Sequence, residues 1–208
     1  MKALIIGAAG GIGRLVAAAD RQDLRAMVRD PSRAPAFAPG TEVVTGDLEG
    51  DFAPLLDGCD RVVFTAGSGG HTGPDKTLLV DLWGAVRAID QARQVGVRHF
   101  IMVSALRSHD PLRAPEKLRP YMVAKRMADL YLQNSGVPWT ILLPGRLTDQ
   151  PGSGRLSPTS AGLEISRQNV ARAILYLLDH PPLGRALQMV DGETPLERFL
   201  QSGGDPYP

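Results

Sequence analysis

Cysteine is almost missing from this chain: Cys59 is the one thiol among 208 residues. A lone cysteine excludes an intrachain disulfide framework and fits a reducing compartment. It lies in the stretch DGCDRVVF, at the expected entrance to a strand, and reads as a small buried hydrophobe. Histidine is scarce too, at 4 residues, and no zinc-type Cys/His spacing occurs, so no metal site is expected. Charge of one sign is not in excess, with 23 Lys+Arg against 22 Asp+Glu and a formal net charge of +1. No basic stripe interleaved with aromatics occurs either, which gives no reason to expect nucleic acid or an anionic membrane as partner. No apolar run approaches the roughly 20 residues that a membrane-spanning helix needs. Met1 and Lys2 lead straight into ALIIG, too short for the apolar core of a secretory signal. The expectation is a cytoplasmic protein.

What is present is a globular composition, 43% hydrophobic, in a chain long enough for one compact domain with a sizeable core. Ala3 to Ile6 form a short apolar run bounded by glycine, the pattern of a strand buried on both faces. LRAMV, EVVTG, RVVFTAG, VRHFIMVS, PWTILLP and ALQMV read as further strands. Between them the pattern predicts a helix after the first glycines, a short helical piece near FAPLLDG, and helices over 75–95, 118–135 and 167–178. In the longest of these, Leu79, Leu82, Val86 and Ile89 recur at three- and four-residue steps, a stripe expected to pack on the sheet. A polar Gly/Pro tail is expected at the end. Strands alternating with helices predict an α/β fold: a single doubly wound Rossmann-type domain over residues 1–208, with a mostly parallel sheet of about seven strands.

Two stretches carry chemistry. The first is GAAGGIG, directly after the first strand and opening the first helix. Gly7, Gly10 and Gly13 permit a tight turn and let backbone N–H groups approach a diphosphate at a helix N-terminus. Glycine-rich turns also end strands for structural reasons alone. It is the position at the start of a βαβ repeat that makes nucleotide binding the expectation. An acidic residue at the end of the second strand suits the ribose 2′-hydroxyl of NAD, whereas arginine suits the 2′-phosphate of NADP. Here the strand delivers Arg29, followed by Arg33, with Asp30 beside it. NADP(H) is the preferred coenzyme, with NAD(H) the alternative. The second stretch is Tyr121-Met122-Val123-Ala124-Lys125. Four residues make about one helical turn, so phenol and ammonium share a face. That spacing fits either an ordinary amphipathic helix or a pair placed to move a proton.

Several blocks in order, among them GAAGGIGR, MVRDPSR, VVTGDLEG, VVFTAGS, YMVAKRMADLYL, WTILLPGRLTD and ISRQNVARAI, resemble the atypical short-chain dehydrogenase/reductase group. The likeness is strongest to its NmrA-like NAD(P)H-binding branch, which is itself epimerase/dehydratase-like, and it runs over nearly the whole chain. The resemblance implies that Gly7, Gly10, Gly11 and Gly13 hold the diphosphate with Ile12 beside them, and that Arg29 and Arg33 meet the 2′-phosphate. It also implies that Asp47 and Leu48 flank the adenine, that Ala66 and Gly67 line the ribose, and that Pro144, Gly145 and Arg146 border the nicotinamide. Tyr121 then becomes the proton donor of a hydride-transfer reaction, Lys125 its helper and a ribose ligand, and Ser104 the residue that orients the substrate oxygen. A lysine one turn away is expected to lower the phenol pKa.

Two departures from the family pattern stand out. Between Gly13 and Arg29 the chain is several residues short, which predicts an abbreviated first crossover. A serine pair common in the family reads Ser104-Ala105 here. The loop GSGGHTGPDK, with His71, and the segment TDQPGSGRLSPTSAGLE, with Arg155, are expected on the substrate side. His99 is expected at the wrong strand end for chemistry. In related reductases the helix corresponding to 75–95 can build dimers, so the resemblance leaves a monomer or a homodimer open. No large C-terminal substrate domain follows, which implies a small carbonyl, enone, quinone or flavin-like acceptor rather than a bulky nucleotide sugar. Two alternatives remain: a non-catalytic NAD(P)-sensing regulatory or scaffold protein, and an NAD(P)-dependent epimerase or dehydratase.

Overall fold

The structure, a computed structural model, describes residues 2–158 and 163–202. Its centre is a sheet in the order β11-β8-β10-β6-β5-β4-β1-β2-β3. The strands are β1 (Lys2–Ile6), β2 (Leu24–Val28), β3 (Glu42–Thr45), β4 (Cys59–Phe64), β5 (His99–Val103), β6 (Trp139–Pro144), β8 (Arg155–Ser157), β10 (Ala186–Asp191) and β11 (Thr194–Pro195). From β10 to β3 every neighbouring pair is parallel. β8 runs antiparallel to both β10 and β11. A separate pair, β7 (Arg146–Thr148) and β9 (Glu164–Ser166), stands beside the end of β6. The expected doubly wound sheet is therefore present with nine strands rather than about seven. The two additions, β8 and β11, are only three and two residues long, too short for an alternation signal to register.

Alternation along the parallel strands builds two cores. Ala3 and Ile5 of β1 face one layer, while Leu4 and Ile6 face the other. The first layer is α1 (Gly13–Ala17), α5 (Arg167–Leu178) and α6 (Leu196–Ser202); the second is α3 (Ala85–Gln94) and α4 (Arg119–Gln133). Each fully buried Ile or Leu in these cores contributes roughly 1.5–3 kcal/mol relative to exposure. The region expected as a Gly/Pro tail is α6 as far as Ser202, because Leu196, Phe199 and Leu200 give it a buried face; the rest of the tail, 203–208, lies outside the described residues.

The first crossover is short, as its length requires. α1 has five residues, and its last carbonyl, Ala17 O, accepts from Ala38 N at 3.1 Å and Thr41 Oγ1 at 2.9 Å. The loop after β2 thus closes the helix that the missing residues would have extended.

The long helical run is built as α2 (Pro74–Lys76), a π-helical turn (Thr77–Gly84) and α3. Its sheet-facing side differs from the expected stripe. Of that stripe only Ile89 is fully buried, and Leu79 is 40% exposed. Gly84, Ala85, Ala88 and Ala92 occupy the buried side instead. Small residues let the helix backbone approach its neighbours closely, with Ile89 in the core, Leu82 partly buried against it and Leu79 turned away. Among the described residues no helix is long and apolar enough to cross a membrane.

Candidate active site

The site lies at the C-terminal ends of β1, β4, β5 and β6, where open parallel sheets present their loops. Its floor is the turn after β1. Gly7 has φ +89°, and a Cβ there would stand 2.6 Å from Ala66 N. A Cβ on Gly13 would collide with Gly7 O, and Gly10 N donates to that same carbonyl at 2.9 Å. The loop is folded onto itself so tightly that only glycine fits. Gly11 is exposed beside it, and Ile12 is buried beneath. Such a glycine cradle fits a diphosphate, since close backbone approach is what that group requires.

Beyond the loop, Thr65 N donates to Ile6 O at 2.9 Å and Ala66 is half-buried against Gly7. Gly67 is exposed, and a Cβ on it would lie 3.1 Å from Asp81 Oδ1. Asp81, from the π-helical turn, is fully buried and accepts from Ser68 N at 2.9 Å. Its other oxygen is 3.7 Å from Lys125 Nζ. Lys125, itself buried, donates to Val103 O at 3.1 Å. The Lys125 ammonium also lies 5.7 Å from the ring centroid of Tyr121 and 6.0 Å from that of Phe64. Tyrosine and lysine therefore do share a face of α4, and that face looks into the cleft-side end of β4 and β5.

The expected depression of the Tyr121 pKa is not found. Burial pushes the phenol up, Lys125 opposes this, and the carboxylates of Asp81 and Asp129 add to the rise. Withdrawal from water outweighs one neighbouring cation, part of whose field is already cancelled by Asp81.

Ser104 is at the end of β5, as expected, but its hydroxyl is turned inward. Ser104 Oγ donates to Asp129 Oδ2 at 2.7 Å, and Ser108 Oγ donates to the same oxygen at 3.2 Å. Asp129 is one turn beyond Lys125 on α4. Burial raises its pKa to about 6 against the opposing pull of Ser104, Lys125 and Ser108.

The remaining predicted residues spread outward from this centre. Arg29 and Arg33 are exposed after β2, while Asp30 Oδ1 accepts from Ser32 N at 2.9 Å and Ser32 Oγ at 2.6 Å. Asp47 is exposed and bonds Glu49 N at 3.0 Å; Leu48 is buried against Gly84. Pro144 ends β6, Gly145 N donates to Met189 O at 3.0 Å, and Arg146 is paired with Glu164. That pairing ties Arg146 to the β7–β9 pair. His71 is exposed in its loop. Arg155 bonds Glu193 O on the β8–β11 side. Part of the segment that carries it, residues 159–162, lies outside the described residues. His99 is buried at the far end of β5, with Nε2 2.9 Å from Thr140 Oγ1. The sequence reading missed Asp81 and Asp129. The visible signal for Asp81 was an acid inside the apolar run LLVDLWG; Asp129, at i+8 from Tyr121, continued the face already identified.

Residues 7–181 match the model of a protein family described as NAD(P)H-binding. The chain belongs to this NAD(P)H-binding family. It is 46% identical to the uncharacterized sugar epimerase YhfK of Bacillus subtilis, covering 97% of this chain and 99% of that protein. It is 27% identical to sanguinarine reductase of Eschscholzia californica, over 85% and 83% of the two chains. A solved structure from Bacillus halodurans, a putative NAD-dependent epimerase/dehydratase, superposes with a TM-score of 0.89 at 36% identity, covering 97% of this chain and 99% of that one. Membership of an NAD(P)H-binding family accounts for the glycine cradle.

Proposed function

We propose that this protein is an NADP(H)-dependent oxidoreductase acting on a small carbonyl, enone, quinone or flavin-like acceptor, as one domain spanning residues 1–208 in the cytoplasm, monomeric or homodimeric. The observation that carries the reading is the pairing of Tyr121 with Lys125 above the ends of β4 and β5, beside a glycine cradle suited to a dinucleotide. Bound nicotinamide coenzyme would supply the hydride. Tyr121 would supply the proton: its raised pKa keeps the phenol in the acid form that carbonyl reduction needs. Lys125, fixed by Val103 O and Asp81, has N–H capacity left for a ribose hydroxyl and stabilises the phenolate left after transfer. The Ser104 hydroxyl donates its hydrogen bond to Asp129, so what it offers a substrate is an oxygen lone pair.

Gly7, Gly10, Gly11 and Gly13 would hold the diphosphate, with Ile12 under it. Asp47 and Leu48 would flank adenine, Ala66 and Gly67 the ribose, and Pro144, Gly145 and Arg146 the nicotinamide. The preference for NADP(H) over NAD(H) is supported by exposed Arg29 and Arg33 and by Asp30, whose Oδ1 is taken up by Ser32. Epimerase chemistry is the second reading, favoured by the name of the Bacillus subtilis relative. It would use the same tyrosine and lysine with no net consumption of coenzyme.

Following the absorbance of NADPH against a panel of carbonyls, enones, quinones and flavins tests the first reading. The expected result is acceptor-dependent oxidation, with tighter binding of NADPH than NADH. Tight coenzyme binding with no oxidation of NADPH by any acceptor would overturn it in favour of an epimerase or a coenzyme sensor.

A further inference from the structure

The glycine cradle has one wall more than its own backbone. Arg167, the first residue of α5, lays its side chain over Gly11: its Nε and Cδ stand 2.7 and 2.9 Å from where a Cβ on Gly11 would be. The absent side chain is what lets the arginine lie there. Its position is fixed from behind. Ser166 caps α5 by accepting from Asn169 N at 3.0 Å. Asp191, at the end of β10, accepts from Ser166 N at 3.0 Å and from Asn169 Nδ2 at 2.7 Å. From the outer side, Asp149 Oδ1 takes Arg167 Nη1 at 3.0 Å. A guanidinium carries five donors, so this one ion pair leaves most of them uncommitted to it.

The local electrostatics leave a place for such a cation. α1 has only five residues, so its aligned peptide dipoles are few. Its one basic side chain, Arg14, is exposed on the helix. A dinucleotide diphosphate carries two negative charges, and a planar guanidinium at a glycine turn is the side chain best matched to it.

We propose that Arg167 is a diphosphate-binding residue that closes the open side of the Gly7–Gly13 loop. This rests on the reading of that loop as the coenzyme site. The arginine reaches the loop from a helix more than 150 residues away in sequence, since 167 less 13 is 154. No local motif therefore announces it.

Titration calorimetry with NADPH, ADP and adenosine, on the wild type and on Arg167→Ala, Arg167→Gln and Arg167→Lys, tests the assignment. Loss of a charge-assisted contact should weaken NADPH and ADP by about tenfold or more in Arg167→Ala and Arg167→Gln, with a partial return in Arg167→Lys. Adenosine should change by less than about twofold. The dependence of NADPH affinity on salt should also flatten, because one cation has been removed from the site. Arg167→Gln keeps much of the packed stem, so a folding failure of the alanine variant does not end the test. Wild-type-like affinity of the glutamine variant for NADPH and ADP would overturn the assignment while leaving the coenzyme site intact. So would an equal loss for adenosine, which would make Arg167 structural. Failure of the wild type to bind NADPH or ADP at all would instead remove the coenzyme reading itself, and this inference with it.

Discussion

Ser104 donates its hydroxyl hydrogen to the buried carboxylate of Asp129 at 2.7 Å, and neither residue has meaningful contact with solvent. A carboxylate held this way titrates late, at about 6, because burial disfavours its charge. Its folded pKa is above the unfolded value of 3.8, so the folded state holds the proton more tightly between those two values. Stability from this group is full below pH 3.8 and falls as pH rises through 6. Two pKa units correspond to about 3 kcal/mol. Asp129→Asn cannot titrate. Denaturant unfolding across pH 4 to 7 should therefore show the wild type losing about that much relative to the variant. A constant difference across the range would mean that Asp129 is not held protonated.

His99 works in the opposite sense. Burial lowers its pKa to about 4 from 6.5. The unfolded chain takes up the proton first, so stability from the neutral ring is present above pH 6.5 and is lost as pH falls through 4. Replacing it by glutamine should remove roughly 3 kcal/mol of acid sensitivity between those limits. The check is the pH at which half the protein unfolds on acidification, which should shift downward in His99→Gln.

Asp81 and Lys125 form a buried pair at 3.7 Å. Neutralising one partner strands the other, at a cost of about 3–5 kcal/mol. Asp81→Asn should show a loss of that order in denaturant unfolding. The double variant Asp81→Asn with Lys125→Met should recover a large part of it, because no charge is then left buried. Equal instability of the single and double variants would show that the pair is not coupled.

Tyr121→Phe keeps the ring over Lys125 and removes the proton. Reduction of an acceptor identified in the NADPH panel should slow by about 10²–10⁴-fold, with the NADPH dissociation constant within about twofold of wild type. In the wild type the alkaline limb of the reduction rate should appear above the ordinary tyrosine value of about 10, since burial raises the phenol pKa. A phenylalanine variant with undiminished turnover would remove the tyrosine from the reaction.

Gly7→Ala places a side chain at φ +89° and 2.6 Å from the backbone of Ala66. Left-handed strain alone costs about 1–3 kcal/mol, and the collision adds to it. The variant should melt well below wild type and bind no NADPH at concentrations that saturate the unaltered protein.

The parallel core was legible because its signals are local. β1 begins and ends within one residue of the apolar run that predicts it, and Arg167–Leu178 is a helix over the range its pattern marks. The short antiparallel strands β8 and β11 were not legible, since two or three residues carry no period. The 75–95 stripe was only partly right: Ile89 is buried and Leu82 packs on the core, but Leu79 is exposed, because much of the buried side is Gly84, Ala85, Ala88 and Ala92, whose contribution is close approach rather than apolar bulk. Within the site, residues supplied by one loop or one helical turn could be found by spacing: the glycines, and Tyr121 with Lys125. Relations that cross the fold could not. The tyrosine pKa was misjudged for the same reason, because burial depends on what packs over the ring and not on which residue sits four positions away.

The sheet is bounded at one side by β3, four residues long and ion-paired through Glu42 to Arg25 and Lys2, and at the other by β11, which has two residues and includes Pro195. A growing fibril needs a straight, unpaired edge of several residues on which to template the next strand, and proline and charge both spoil one. Although the centre of the molecule is a parallel sheet of the aggregation-prone, aliphatic kind, neither margin offers a landing strip for a second chain. Protection against amyloid-like stacking is thus built into the rims.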